Sequence, residues 1–163
     1  MFRIGDKVVH PMHGAGVIDG IVTEKIGAAK QDYYVFKMPV GGLVLKIPVA
    51  TSQVIGLRNI VSAEEAAALI DAISSMQVDM TSNWNHRYRE NMELLKSGDL
   101  HSVAHVIKGL TRRDSERGLS NGERKMLHTA RQILISELVL AMGLDSREIE
   151  SRINEVMLGE KAG

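Results

Sequence analysis

Few residues in this chain have the types and spacing that chemistry requires. His101 and His105 lie four apart, which on a helix turns both imidazoles to one face and suits zinc. Apart from Asp99 at the helix start, no carboxylate or third histidine stands near them to complete a ligand set. Solvated or half-buried histidines are the better reading, and the same holds for His10 and His13 around a proline turn. "GAG" at 14–16 is a fragment of a phosphate-binding glycine pattern, but no G-x-x-x-x-G-K follows, and a turn between strands accounts for it. The serines form no G-x-S-x-G elbow. With no cysteine, a thiol nucleophile, a thiolate zinc site and a disulfide framework are excluded. The expectation is a non-enzyme without metal, cofactor or small-molecule substrate.

Recognition is the chemistry that remains. "NWNHRYREN" (83–91) holds the only tryptophan of the chain, beside His86, Arg87, Tyr88 and Arg89. On a helix Trp84, Tyr88 and Leu95 fall along one side, which suits an anchor in a core. Trp84 would also stand in the first turn, from which a side chain can project past its neighbours. An exposed aromatic among cations suits wedging between bases, with arginines on phosphates. These residues leave both roles open. Lys96, Lys108, Arg112, Arg113, Arg117, Arg124 and Lys125 could reach phosphates on the same grounds, but a solvated helical face is the usual meaning of such residues, and "TRRDSER" is rich in i,i+3 and i,i+4 charge pairs that suffice as a structural reason.

The elements that must position these residues change character near residue 62. "KVVH" (7–10), "VIDGIVTEKI" (17–26), "QDYYVFKMP" (31–39) and "LVLKIPV" (43–49) read as strands. Gly20 marks a bulge, and Pro39 and Pro48 belong at strand ends or an edge. Four short strands in 50 residues predict a small SH3/Tudor-like β-barrel. Thereafter the apolar period is helical. Ser62 with Glu65 and Ser120 with Glu123 have capping-box spacing, Asn83 and Asp99 are N-cap residues, and Gly118 and Gly143 close helices. "SSMQVDMTS" (74–82) reads as a linker, and "DSREIESRINEVM" as a last short helix. The fold class is therefore α+β, a β-barrel over 1–60 followed by an all-α helical bundle over 61–163.

Charge alone does not favour nucleic-acid binding, but it is unevenly spread. Lysine plus arginine and aspartate plus glutamate are equal at 20 each, unlike a domain that coats DNA by charge alone. Within that balance, residues 77–131 carry 10 basic and 7 acidic side chains, a net +3 around Trp84. No stretch approaches the length of a membrane span, and "MFRIGDKVV" is too polar for a signal peptide, so a cytoplasmic protein is expected.

The order of these motifs resembles the CarD/CdnL family of bacterial RNA polymerase-binding transcription regulators. "FRIGDKVVHPMHGAG", "LKIPV" and "GLRNIVS" resemble its N-terminal module, while "NWNHRYREN", "LLKSGDL" and "RRDSERGLSNGERKMLHTARQILISELVLA" resemble its helical domain. The resemblance implies a Tudor-like module that docks on the polymerase β subunit and is shared with transcription-repair coupling factors. It also implies a helical domain touching promoter DNA at the upstream edge of the transcription bubble. There the family tryptophan, matched by Trp84, enters the minor groove and stabilises the open complex. By the same likeness Arg87, Arg89, His86, Arg124 and Lys125 are expected at DNA, and Glu24, Lys25, Lys46 and Ile47 at the polymerase. Glu24, Lys46 and His86 depart from positions where relatives favour basic residues or arginine, and lysine lacks arginine's two-pronged hydrogen bonding. Free DNA affinity is expected to be weak, because tethering by the polymerase supplies local concentration, and the protein would be nucleoid-associated through that enzyme. The competing reading is a docking or structural module whose bundle binds another protein, with Trp84 buried.

Overall fold

The structure is a computed structural model and describes residues 1–78 and 83–158. Five antiparallel strands form one sheet: β1 (Lys7–His10), β2 (Gly14–Ile26), β3 (Ala29–Lys37), β4 (Val44–Pro48) and β5 (Arg58–Asn59). Their spatial order is β4-β3-β2-β1-β5. Because β4 and β5 are the two ends of that order, the sheet is open, and the expected barrel closure is not found among the described residues. The "GAG" stretch belongs to β2 rather than to a turn, with Gly16 opposite Val8. The β2–β3 register shifts between Ile18 and Gly20, which is the bulge that Gly20 marks.

Alternation sorts the sheet into two faces. Ile18, Tyr34, Phe36 and Ile47 point inward and pack with Val8, Met38 and Leu57. The other face carries Val22 opposite Tyr33 and Val35 opposite Lys46. After Pro48 the chain makes a 3-10 turn (Val49–Thr51) and one short helix, α1 (Ser52–Ile55), closed by Gly56 in the left-handed region, before β5.

Among the described residues five helices follow: α2 (Ala63–Ile73), α3 (Trp84–Lys96), α4 (Leu100–Glu116), α5 (Asn121–Met142) and α6 (Ser146–Leu158). Their starts are set by side-chain caps. Ser62 and Ser120 form capping boxes with Glu65 and Glu123, while Asn83 and Asp99 accept from the amides of His86 and Ser102. The shared core runs through Leu69, Ile73, Leu95, Ile107, Leu110, Leu134 and Ile153. Within it Lys108 is buried, not aimed at solvent, and its Nζ donates to the carbonyls of Ile73 and Ser74 at the end of α2. Ile73 O also accepts the Met76 amide at 3.1 Å, so the ammonium adds a second donor there, serves Ser74 O, and places a cation at a helix C-terminus. Of the linker expected at 74–82, residues 79–82 lie outside the described residues.

The sheet leans on α5. Ala15 N–H donates to the buried Ser136 Oγ at 2.8 Å. Gly14 permits this approach, since a Cβ there would lie 2.4 Å from that oxygen and its φ is +116°. Glu137, fully buried, takes a bidentate pair from Arg58 on β5 (2.9 and 2.7 Å) and the amide of Val61 (2.9 Å). Arg58 Nε also donates to Gly98 O at 2.7 Å, tying β5 to the α3–α4 connection.

Candidate nucleic-acid interface

Trp84 is the first residue of α3, after the cap Asn83, and remains 44% exposed. One face of its indole stacks on Tyr88, with centroids 5.2 Å apart and planes at 22°. Four residues separate the two rings, so α-helical geometry alone brings them together. The indole Nε1–H donates to Ser120 Oγ at 3.0 Å. Ser120 is the N-cap of α5, and its hydroxyl also accepts from Glu123 N and donates to Glu123 Oε1. A serine hydroxyl has one proton and two lone pairs, so these bonds use its whole capacity. Trp84 is thus oriented by a saturated cap while part of its ring faces solvent.

Beneath this platform lies a buried ion pair. Arg87 is 2% exposed, and its Nε and Nη2 reach Glu123 Oε2 and Oε1 at 2.7 and 3.2 Å. Burial pushes the Glu123 carboxyl up, but hydrogen bonds from Arg87, the Ser120 amide and the Ser120 hydroxyl, with the Arg87 charge, outweigh it. The net result lies below the ordinary carboxylate value. The expectation that Arg87 meets DNA is therefore corrected: its guanidinium faces inward and braces α3 against α5. Arg89, two residues on, is rotated by about 200° and is exposed.

The other basic positions divide similarly. His86 is exposed and its Nε2 lies 2.7 Å from Glu90 Oε1, one turn along α3. Arg124 and Lys125 are exposed on the first turns of α5, with Arg124 Nε donating to Leu119 O. The structure brings Trp84 and the start of α5 together, since Ser120 touches the indole. Among the described residues no cluster of three or more His, Asp or Glu is arranged to hold a metal, and no helix is long and apolar enough to cross a membrane.

On the sheet, Lys46 and Glu24 pair with each other across β3. They share the outer face with Val22, Tyr33 and Val35, while Lys25 is exposed further along β2. Ile47 is 3% exposed and belongs to the sheet core, so it is removed from the expected polymerase-contact set. Val44, on the same edge strand, is the exposed apolar residue there.

Sequence reasoning missed Ser120, Glu123, Ser136 and Glu137 as a set with partners. The capping box explained Ser120 and Glu123 locally and so hid their reach to α3. For Ser136 and Glu137 a signal existed: a polar pair inside the apolar run "ILISELVLA" has to find buried partners.

Comparison with known proteins agrees along nearly the whole chain. A family model described as "CarD-like/TRCF RID domain" matches residues 2–61, and one described as "CarD, C-terminal domain" matches residues 68–154. A protein of Bacillus subtilis (strain 168), named "Putative transcription factor YdeB", is 32% identical over 151 residues, covering 93% of this chain and 99% of that protein.

Proposed function

This chain belongs to the CarD/CdnL family of bacterial RNA polymerase-binding transcription regulators, and from that premise we propose that it stabilises the promoter open complex. Residues 1–60 dock on the polymerase β subunit, and residues 61–163 hold Trp84 at the upstream edge of the bubble. The carrying observation is the indole itself: half exposed, at the start of a helix, stacked on one face and pinned by Ser120. A wedge between bases needs an apolar surface that is already oriented, because unstacking a base step costs a few kcal/mol. Arg89, Arg124 and Lys125, with His86 when protonated, supply the cations for nearby phosphates. Docking uses the outer face and the β4 edge, where Lys46, Glu24 and exposed Val44 lie, with Lys25 exposed next to Glu24 on β2. Glu24 and Lys46 exchange their mutual pair for partners on the polymerase.

Free protein binds duplex DNA weakly and with steep salt dependence, since its net charge is zero and its phosphate contacts are few. Trp84→Ala tests the wedge. It removes a ring stack of about 0.5–1.5 kcal/mol and a hydrogen bond of similar size, together about 1–3 kcal/mol, short of the roughly 3–5 kcal/mol of a fully buried tryptophan. The variant should stay folded, keep its affinity for polymerase and shorten the open-complex lifetime. A folded Trp84→Ala protein that preserves the full lifetime would sink the wedge.

A further inference from the structure

We propose that α5 is a ruler: through Ser120–Glu123 at one end and Ser136–Glu137 at the other, it fixes the distance and rotational phase between the docking sheet and Trp84. The inference rests on the docking-and-wedge reading, and one arm of its test is independent of that reading.

The same device occurs at both ends of the helix. Glu123 is buried and takes a two-pronged arginine from another element, Arg87 of α3; Glu137 is buried and takes Arg58 of β5. Each carboxylate also accepts a backbone amide, from Ser120 and Val61 respectively. A serine near each carboxylate binds a further group: Ser120 Oγ takes the Trp84 indole, and Ser136 Oγ takes the Ala15 amide of β2. One end therefore holds the wedge, and the other holds the sheet.

Spacing gives the device its meaning. Glu123 and Glu137 are 14 residues apart, two heptads, which is about 21 Å along the axis and a rotation only about 40° short of complete turns. Both carboxylates thus open on one side of the helix, with buried Met126, Ala130, Ile133 and Leu134 between them. Apolar packing alone is non-directional and tolerates sliding. A buried, bidentate ion pair adds little net stability over an apolar pair, and its best-attested use is to select one register. Two such pairs on one helix lock two registers to each other. For a protein delivered by its docking partner this matters, because tethering raises local concentration only if the link spans the two sites in the right geometry.

Arg58→Lys removes the fork but keeps the charge at a partly exposed position. Glu137→Gln removes the charge but keeps an acceptor for Val61. The first arm reads geometry. The chain lacks cysteine, so Val54→Cys and Asn85→Cys accept spin labels without background, and both sites are exposed. We expect one narrow distance distribution in the parent and a broadened or displaced one in Arg58→Lys and Glu137→Gln. An unchanged narrow distribution in both folded variants would overturn the ruler.

The second arm reads function on full-length protein with its host RNA polymerase. Both variants should keep docking affinity within about twofold and leave Trp84 emission unaltered, yet shorten the open-complex lifetime. In a Trp84→Ala background they should shorten it no further, because the ruler acts through the indole. Additive shortening in that background would overturn the proposal. Should Trp84→Ala alone leave the lifetime intact, the wedge reading fails, and the label distances still decide the ruler.

Discussion

Arg87→Ala separates a brace from a DNA contact. An exposed arginine one turn from a wedge would cost within about 0.5 kcal/mol of stability on truncation. Arg87 instead lies buried against Glu123, and removing one partner of such a pair strands the other, at about 3–5 kcal/mol. For a chain of this length each kcal/mol lowers Tm by about 2–4 °C, so the melt should fall by about 6–20 °C. The sign with pH follows from Glu123, whose folded carboxyl lies below its ordinary value of 4.5. The stability it contributes is present above that value and is lost as pH falls through the folded pKa. In Arg87→Ala the cation and its hydrogen bonds are gone, only the Ser120 hydrogen bonds still oppose burial, and the carboxyl moves up. The gap between parent and variant should therefore be widest near neutral pH and narrow in acid. Thermal melts by circular dichroism from pH 3.5 to 7 read both. A variant melting within about 2 °C of the parent at pH 7 would refute the buried brace.

Three further outcomes are expected. Lys108→Met takes the ammonium from both carbonyls at the end of α2, leaving Ile73 O with the Met76 amide alone, and should cost about 1–3 kcal/mol in urea unfolding, with Lys108→Arg giving no full rescue because the fork does not fit a point-charge site. Gly14→Ala forces a Cβ against Ser136 at positive φ and should lower the melting temperature while increasing amide exchange at Ala15, whose hydrogen bond loses its geometry. His10 is held to about 4, first by burial and then by the charge of His13, whose ring lies 4.5 Å away. Stability should be fully present above 6.5 and decline as pH falls from there through about 4, and His10→Gln should flatten that stretch of the Tm profile.

Where local chemistry determines structure, the fold is legible in the sequence. Helix starts at Ser62, Asn83, Asp99 and Ser120 follow from the competition between side-chain oxygens and orphan amides, and Gly143 ends α5 because a left-handed residue is needed there. The helix α1 and the two-residue strand β5 carry no comparable local signal; both depend on what they pack against. The open sheet is likewise a matter of β4 and β5 not meeting, which the strand patterns do not encode. In the site, Trp84 could be singled out as the one tryptophan among cations, with its exposure undecided. Arg87 and Arg89 are near-identical in sequence context, and only the helical phase of Glu123 on another element tells them apart. Ile47 alternates correctly with Lys46, but which of the two faces inward depends on Tyr34 and Phe36 of the neighbouring strand.

An open sheet also has a colloidal consequence. Strand β4 has a single neighbour, so one row of its backbone donors and acceptors faces away from the sheet. Such a row is a template for self-pairing whenever molecules outnumber their partner. Its guards are Lys46, an exposed charge in mid-strand, and Pro48, which has no N–H to offer. Replacing Lys46 by valine would join exposed Val44 in an uncharged, β-prone edge, and the first symptom would be concentration-dependent oligomers in an ultracentrifuge, appearing before any change in melting temperature.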